Sequence, residues 1–285
     1  MTTARALFVG GYRIGHLCVA LQFDHLLLGV DKTYIVTNVE KKHYAQVFNR
    51  YGIDLNQFEI IDDQELINCY PEILNWDPRP NDFRGTWMRQ QALKLASCDF
   101  FSEDRLLIQD PDTFAVVPYQ PFDNEIPNFF IQPGKTESLE YYKTFENCAG
   151  IARQTEDCLV SEYMPVYKKD WLSLKKTLET RNNTNFLDAI LNAIPVSVFD
   201  GLLWPSEYEI LANWAMTQRH YTTTVQKRCE ISHINQIPDK LNIQDYNCYV
   251  DACANLADSI QFDFGTSTIP DFEKIVQDIA TAISK

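Results

Sequence analysis

Arg84-Gly-Thr-Trp-Met-Arg-Gln-Gln-Ala-Leu-Lys-Leu-Ala96, then Arg105-Leu-Leu-Ile108, then Gln109-Asp-Pro-Asp-Thr113 is the stretch on which the fold turns. Met88, Ala92, Leu95 and Ala96 fall on one face, which predicts a helix over 86–97. The run Arg105–Ile108 is a short apolar strand, and it ends in a pair of aspartates. Residues i and i+2 of an extended segment point the same way, so Asp110 and Asp112 can converge on one divalent cation. At a strand's carboxyl end they lie where open α/β sheets bind ligands. In the preceding helix Gln90 and Gln91 each share a face with Lys94. Arg84 and Arg89 add the positive charge that a diphosphate needs.

Upstream, strand and helix signals alternate. Ala6–Val9 is a strand run closed by Gly10-Gly11, and Leu17, Leu21, Leu26 and Leu28 fit a helix over 15–28. Thr33-Tyr-Ile-Val-Thr37 is a β-branched strand with Asn38 at its end. A helix over 41–51 follows, with Tyr44, Val47, Phe48 and Tyr51 on one face and Gly52 as its stop. Phe58–Ile61 is a third strand. This order predicts an α/β fold with a mostly parallel central sheet flanked by helices on both faces. The Pro-rich segment Trp76–Asp82 reads as a mobile edge of the site. Downstream, helices are predicted over 170–181, 185–194, 206–216 and 271–284. With no repeat, low-complexity tract or linker, the chain reads as one domain. Residues 1–120 form a nucleotide-binding half and 121–285 an acceptor-side half.

Composition narrows the function. The 285 residues carry a net charge of -14, with 45% hydrophobic and 22% charged residues, a globular balance. An acidic surface excludes nucleic acid and anionic membrane as main partners, because both require a positive field. Glycine is scarce at 10 residues, and the segment Val9–Gly15 matches neither common phosphate loop. Tyr12 stands where the dinucleotide fingerprint needs glycine, and His16 where the other loop needs lysine. What remains there is contact of Tyr12 or Arg13 with a base or diphosphate, joined by Asn38. None of the eight cysteines forms a C-x-x-C pair, so they read as buried thiols of a reducing compartment. The first residues lack the apolar core of a signal peptide, and 17–30 is too broken by polar residues to span a bilayer. The expected location is cytoplasmic.

The helix of residues 84–96, the strand after it and Asp-Pro-Asp together resemble the GT-A glycosyltransferases, the nucleotide-diphospho-sugar transferases. The nearest likeness is to a bacterial and viral branch with a W-x-x-Q-Q-x-x-K-L helix before an aspartate pair. The resemblance implies a divalent cation, Mn²⁺ or Mg²⁺, bridging the donor's diphosphate. Asp112 is then the direct ligand, with Asp110 on the ribose or a metal-bound water. Pro111 replaces the small residue usual between them, fixing φ but leaving both side chains free. Arg84, Gln91 and Lys94 fall on the donor side. A second block, Leu203-Trp-Pro-Ser-Glu-Tyr-Glu-Ile210, opens a helix with a capping box of Ser206 and Glu209. It resembles the family's acceptor-side S-E-Y-E stretch. Glu207 is the candidate base for the acceptor hydroxyl, because the cap leaves it unoccupied; Asp200 and Glu162 are its rivals. A third block, Glu230-Ile-Ser-His233, ends in a histidine that the family often supplies as an extra metal ligand. Finally, Cys158–Val166 resembles an acceptor-side segment in which Ser161 and Glu162 touch a sugar.

The implied activity is metal-dependent transfer of a sugar from a nucleotide-diphosphate donor to a hydroxyl acceptor. A non-catalytic glycan- or nucleotide-binding member of the fold, and a nucleotidyltransferase, are the alternatives. An aspartate phosphohydrolase is disfavoured because Phe114 stands where its D-x-D-x-T signature needs threonine.

Overall fold

A computed structural model describes residues 1–10, 17–18, 20–21, 24–76, 83–111, 113–115, 118–123, 126–131, 139–196, 205–225, 228–232 and 259–263. Its centre is a five-stranded sheet of β1 (Thr3–Phe8), β2 (Lys32–Thr37), β3 (Phe58–Asp62), β4 (Arg105–Gln109) and β8 (Tyr163–Tyr167), in the order β3-β2-β1-β4-β8. The first four strands are parallel, and β8 closes the edge antiparallel to β4 with Gln109 opposite Tyr163. A three-stranded sheet joins β5 (Thr113–Ala115) to β10 (Arg228–Ser232) and β11 (Ser259–Asp263). Another three-stranded sheet joins β6 (Phe122–Asp123), β7 (Ile126–Ile131) and β9 (Thr222–Val225). The helices are α1 (Lys41–Arg50), α2 (Asp63–Cys69), α3 (Phe83–Phe100), α4 (Leu139–Ala149), α5 (Lys168–Asn182), α6 (Phe186–Leu191) and α7 (Glu207–Gln218).

Alternation along the strands divides the core between the two sheet faces. Ala4, Ala6 and Phe8 of β1 face one layer with Tyr34, Val36, Leu106 and Ile108, beneath α3, α5 and α7. Leu7 and Ile35 face the other, where Tyr44 and Phe48 of α1 cover them. Both faces are therefore buried, as parallel strands require. The first half supplies four central strands and the second half supplies β8, so one sheet runs through both.

Helix α3 is the central strut. Every residue from Gln91 to Cys98 is buried, which explains why its sequence shows a weak polar face. Its C-terminal carbonyls are gathered by Lys168, whose Nζ donates to the oxygens of Cys98, Asp99 and Phe101 at 3.0, 2.7 and 2.8 Å. That cationic cap fixes where the chain leaves α3 to enter β4.

Three local expectations need correction. No single helix spans 15–28: Asp24–Leu26 is a 3₁₀ turn, and Leu27 forms a β-bridge to Tyr119. The cause is a tertiary contact, since Leu28 N–H donates to the Tyr119 carbonyl at 2.9 Å and Asp24 is claimed by Arg5. Helix α2 was not foreseen, although Asp62 and Glu65 form a complete capping box at its start. At α7 the box is only half made. Ser206 Oγ accepts from Glu209 N–H at 3.2 Å, but the Glu209 carboxylate turns inward to Leu159 N–H and Asn213 Nδ2. The helix expected over 271–284 and the loop 77–82 lie outside the described residues. Cys18, Cys98, Cys148 and Cys158 are buried free thiols, whereas Cys69 is exposed. Among the described residues no helix is long and apolar enough to cross a membrane.

Candidate active site

Strand β4 delivers Asp110 to the carboxyl end of the sheet, and helices α3 and α7 meet it there. Lys94, in the middle of α3, is 1% exposed. Its ammonium lies 2.8 Å from Asp110 Oδ1 and 2.7 Å from Glu207 Oε1, and 3.2 Å from the Tyr208 hydroxyl. The same nitrogen sits 4.7 Å above the Tyr208 ring, a cation–π contact. Tyr208 in turn donates its hydroxyl to Asp110 Oδ2 at 3.0 Å. Gln91 completes the ring: with its amide nitrogen facing Glu207 it donates to both carboxylate oxygens, while its oxygen accepts from Trp87 Nε1 at 3.3 Å. One cation thus bridges two carboxylates from distant parts of the chain.

The electrostatics follow from burial. Desolvation alone would lower the Lys94 pKa, but the charges of Asp110 and Glu207 outweigh it, and the ammonium is held above its ordinary value. For Glu207 burial wins: its carboxyl is raised, with Lys94 opposing and Asp110 reinforcing the shift. Desolvation and then the charges of Asp110, Glu207 and Glu162 push the Tyr208 phenol far above its ordinary range.

Several expected site residues are found here in altered surroundings. Lys94 was expected beside a diphosphate, but its charge is directed to Asp110 and Glu207. Glu207 is not left unoccupied by the helix cap; Lys94 and Gln91 hold it, and it is 1% exposed. Gln90 donates to the Phe8 carbonyl at 3.1 Å and so ties α3 to the end of β1. Arg89, expected to add positive charge for a diphosphate, pairs with Asp63 at 3.0 Å. Ser161 is buried with its hydroxyl donated to the Tyr163 carbonyl at 3.0 Å, and Glu162 is buried just before β8. Asn38 is exposed, one position past β2. Tyr12, Arg13, Asp112, Asp200 and His233 lie outside the described residues, as does the side chain of Arg84. Yet β5 begins at Thr113, directly after Asp112, and β10 ends at Ser232, directly before His233. The two termini lie at the same end of their sheet, with β11 between them. Tyr208 was missed; its place beside Glu207 in the first turn of α7 was the available signal.

Among the described residues no three His, Cys, Asp or Glu side chains are grouped to hold a metal. Asp110 does suit one. Its hard carboxylate oxygens are of the kind that Mn²⁺ or Mg²⁺ takes, with Oδ1 here facing the Lys94 ammonium at 2.8 Å and Oδ2 accepting from Tyr208 at 3.0 Å.

No family model matches the chain, and no curated protein matches it. Solved structures do. An active-site mutant of LgtC is similar at 11% identity and a TM-score of 0.50, over 98% of this chain and 95% of that one. The galactosyltransferase LgtC with donor and acceptor sugar analogues is similar at 12% identity over 98% and 95%, with a TM-score of 0.46. Mouse xyloside xylosyltransferase 1 in its apo form gives 14% over 95% and 100%, with a TM-score of 0.45. At such identities the likeness is one of fold: this chain is a mixed α/β domain, its mostly parallel sheet arranged as in GT-A-like glycosyltransferases.

Proposed function

We propose that this chain is a metal-dependent glycosyltransferase that moves a sugar from a nucleotide-diphosphate donor to an acceptor hydroxyl. The observation that carries the reading is the buried ring of Lys94, Asp110, Glu207 and Tyr208 at the carboxyl end of β4. The carboxyl end of the strands is where an open α/β sheet takes its ligand. Asp110, Asp112 and His233 would hold the cation, Mn²⁺ or Mg²⁺. Bound there, it would offset the charge of the departing diphosphate. The start of β5 and the end of β10 lie at the same end of their sheet, on either side of β11, which is consistent with this set.

Residues 1–120, with Tyr12, Arg13, Asn38 and Arg84, form the donor half in this reading, and 121–285 the acceptor half. Gln91 and Lys94 serve the donor indirectly. They fix the carboxylates of Asp110 and Glu207, and so hold β4 and α7 at a set spacing before any ligand arrives. A preformed site needs little reorganisation when the leaving diphosphate develops its charge.

The test is release of nucleoside diphosphate from UDP-, GDP-, dTDP- and ADP-sugars, with and without Mn²⁺. The expected result is release from one donor class that chelation abolishes. Release unaffected by chelation would contradict the metal requirement, and release from none would contradict the activity.

A further inference from the structure

A cleft of about 460 Å³ lies between α4 and the chain that joins α5 to α6, and it shares no residue with the ring of Lys94, Asp110, Glu207 and Tyr208. Asn147 of α4, Asn182 at the end of α5, Thr184 in the connection and Asn192 just past α6 form its polar lining. Ala189, Ile194 and Pro195 form its apolar side. The size suits a small ligand. Among the described residues that line it, none has an ionisable side chain.

Two of the asparagines are fixed by what their nitrogens touch. Asn182 Nδ2 donates to the carbonyls of Leu178 and Cys148 at 2.8 and 3.0 Å, which occupies both of its hydrogens. Asn147 Nδ2 donates to the Ala193 carbonyl at 3.1 Å. The orientation of each amide follows from these partners, and the oxygen is the part left for a ligand. Neither Oδ1 accepts a hydrogen bond from a described residue, and the side chains of Thr184 and Asn192 make none to one. The same bonds tie α4 to α5 and to the chain after α6, so the pair of acceptors is set before any ligand arrives.

The lining also selects the chemistry. Fixed carbonyl oxygens repel an anion, and no cationic side chain of the lining offsets them. A divalent cation asks for about six oxygens, carboxylates among them, and the lining offers no carboxylate. An apolar ligand would strip water from the amide oxygens and put nothing in its place. A hydroxyl donates to such an oxygen and accepts from an amide nitrogen. A sugar ring carries several hydroxyls at fixed spacing, with a C–H face to lay on Ile194 and Pro195.

We propose that this cleft binds a neutral sugar, whose hydroxyls donate to Asn147 Oδ1 and Asn182 Oδ1 and meet Thr184 and Asn192, at a site separate from that of the nucleotide donor. The proposal goes beyond the glycosyl-transfer reading and does not depend on it.

The experiment titrates ¹⁵N-labelled protein with the methyl glycosides of glucose, galactose, xylose and N-acetylglucosamine, and with cellobiose, lactose and chitobiose. The side-chain amide signals of Asn147 and Asn182 are followed by NMR. At least one neutral sugar is expected to move them saturably, with the same affinity when Mn²⁺ and nucleotide sugar are present, and glucuronate is expected to bind more weakly. Thr184→Val and Asn192→Ala change a half-buried and an exposed position, and each is expected to keep the wild-type melting temperature. Each should weaken binding about three- to tenfold, the scale of one hydrogen bond. Unmoved signals with every neutral sugar, wild-type affinity in both variants, or displacement of the sugar by nucleotide sugar would each overturn the proposal. Failure to release diphosphate from any donor would instead count against the glycosyl-transfer reading and leave sugar binding at this cleft as measured.

Discussion

Lys94 is a single ammonium between two carboxylates, and its removal leaves both without a counter-charge. Breaking a buried pair from one side costs about 3–5 kcal/mol. Lys94→Met is therefore expected to lower the unfolding free energy in urea by roughly that amount. Glu207→Gln should cost less, since Asp110 still receives the cation. The double variant Lys94→Met/Glu207→Gln should lose less than the sum, because the second change removes a charge that the first had stranded. Strict additivity in the urea series would show that the two do not act as a pair. The sequence made both residues conspicuous, through the Q-Q-x-x-K spacing and the first turn of α7. Their partnership was not legible. Lys94 and Glu207 are 113 positions apart, and nothing in a helical periodicity reports which acid a buried lysine will meet. The positive φ of Glu162, +58° just before β8, was equally hidden, since glutamate is not a residue that favours it.

Elements with strong periodic signals were readable to within a few residues. β2, β3 and α1 fall where alternation and helical spacing put them, and β4 ends directly before Asp110. The failures have identifiable causes. The segment before Gly29 is diverted by pairing with Tyr119, a long-range contact. Helix α2 is short, and its capping box was the signal that went unused. Where α3 meets α5, Asp99 accepts from Tyr70 at 2.9 Å, Trp171 Nε1 at 3.3 Å and Lys175 at 2.6 Å. Burial opposes its charge, but the Lys175 and Tyr70 hydrogen bonds prevail and hold its carboxyl below the ordinary value. A depressed carboxylate adds stability above its unfolded pKa of about 3.9, and that stability is lost as pH falls through the folded value. Asp99→Asn should thus destabilise the protein at neutral pH by about 1–3 kcal/mol, the scale of hydrogen bonds to a charged group. The difference from wild type should shrink below pH ~4. Denaturant curves at several pH values check this, and a difference that stays constant down to acid would contradict it.

At the scale of the molecule, the proposed metal-dependent reading accounts for the acidic charge and the shortage of glycine together. A fold that receives phosphate through a cation held by aspartates requires neither a glycine cradle nor a basic surface. The central sheet and the two helices that brace Asp110 bring Asp110, Lys94 and Glu207 together at the carboxyl end of β4, and the proposal is that a cation joins Asp110 there. Calorimetric titration of Mn²⁺ together with a nucleotide sugar, on wild type and on Asp110→Asn, tests that claim most directly. The account predicts donor binding that requires Mn²⁺ in the wild type and is weakened at least tenfold in Asp110→Asn, about 1.4 kcal/mol or more. Equal donor affinity in the two proteins, or equal affinity with and without Mn²⁺, would contradict it.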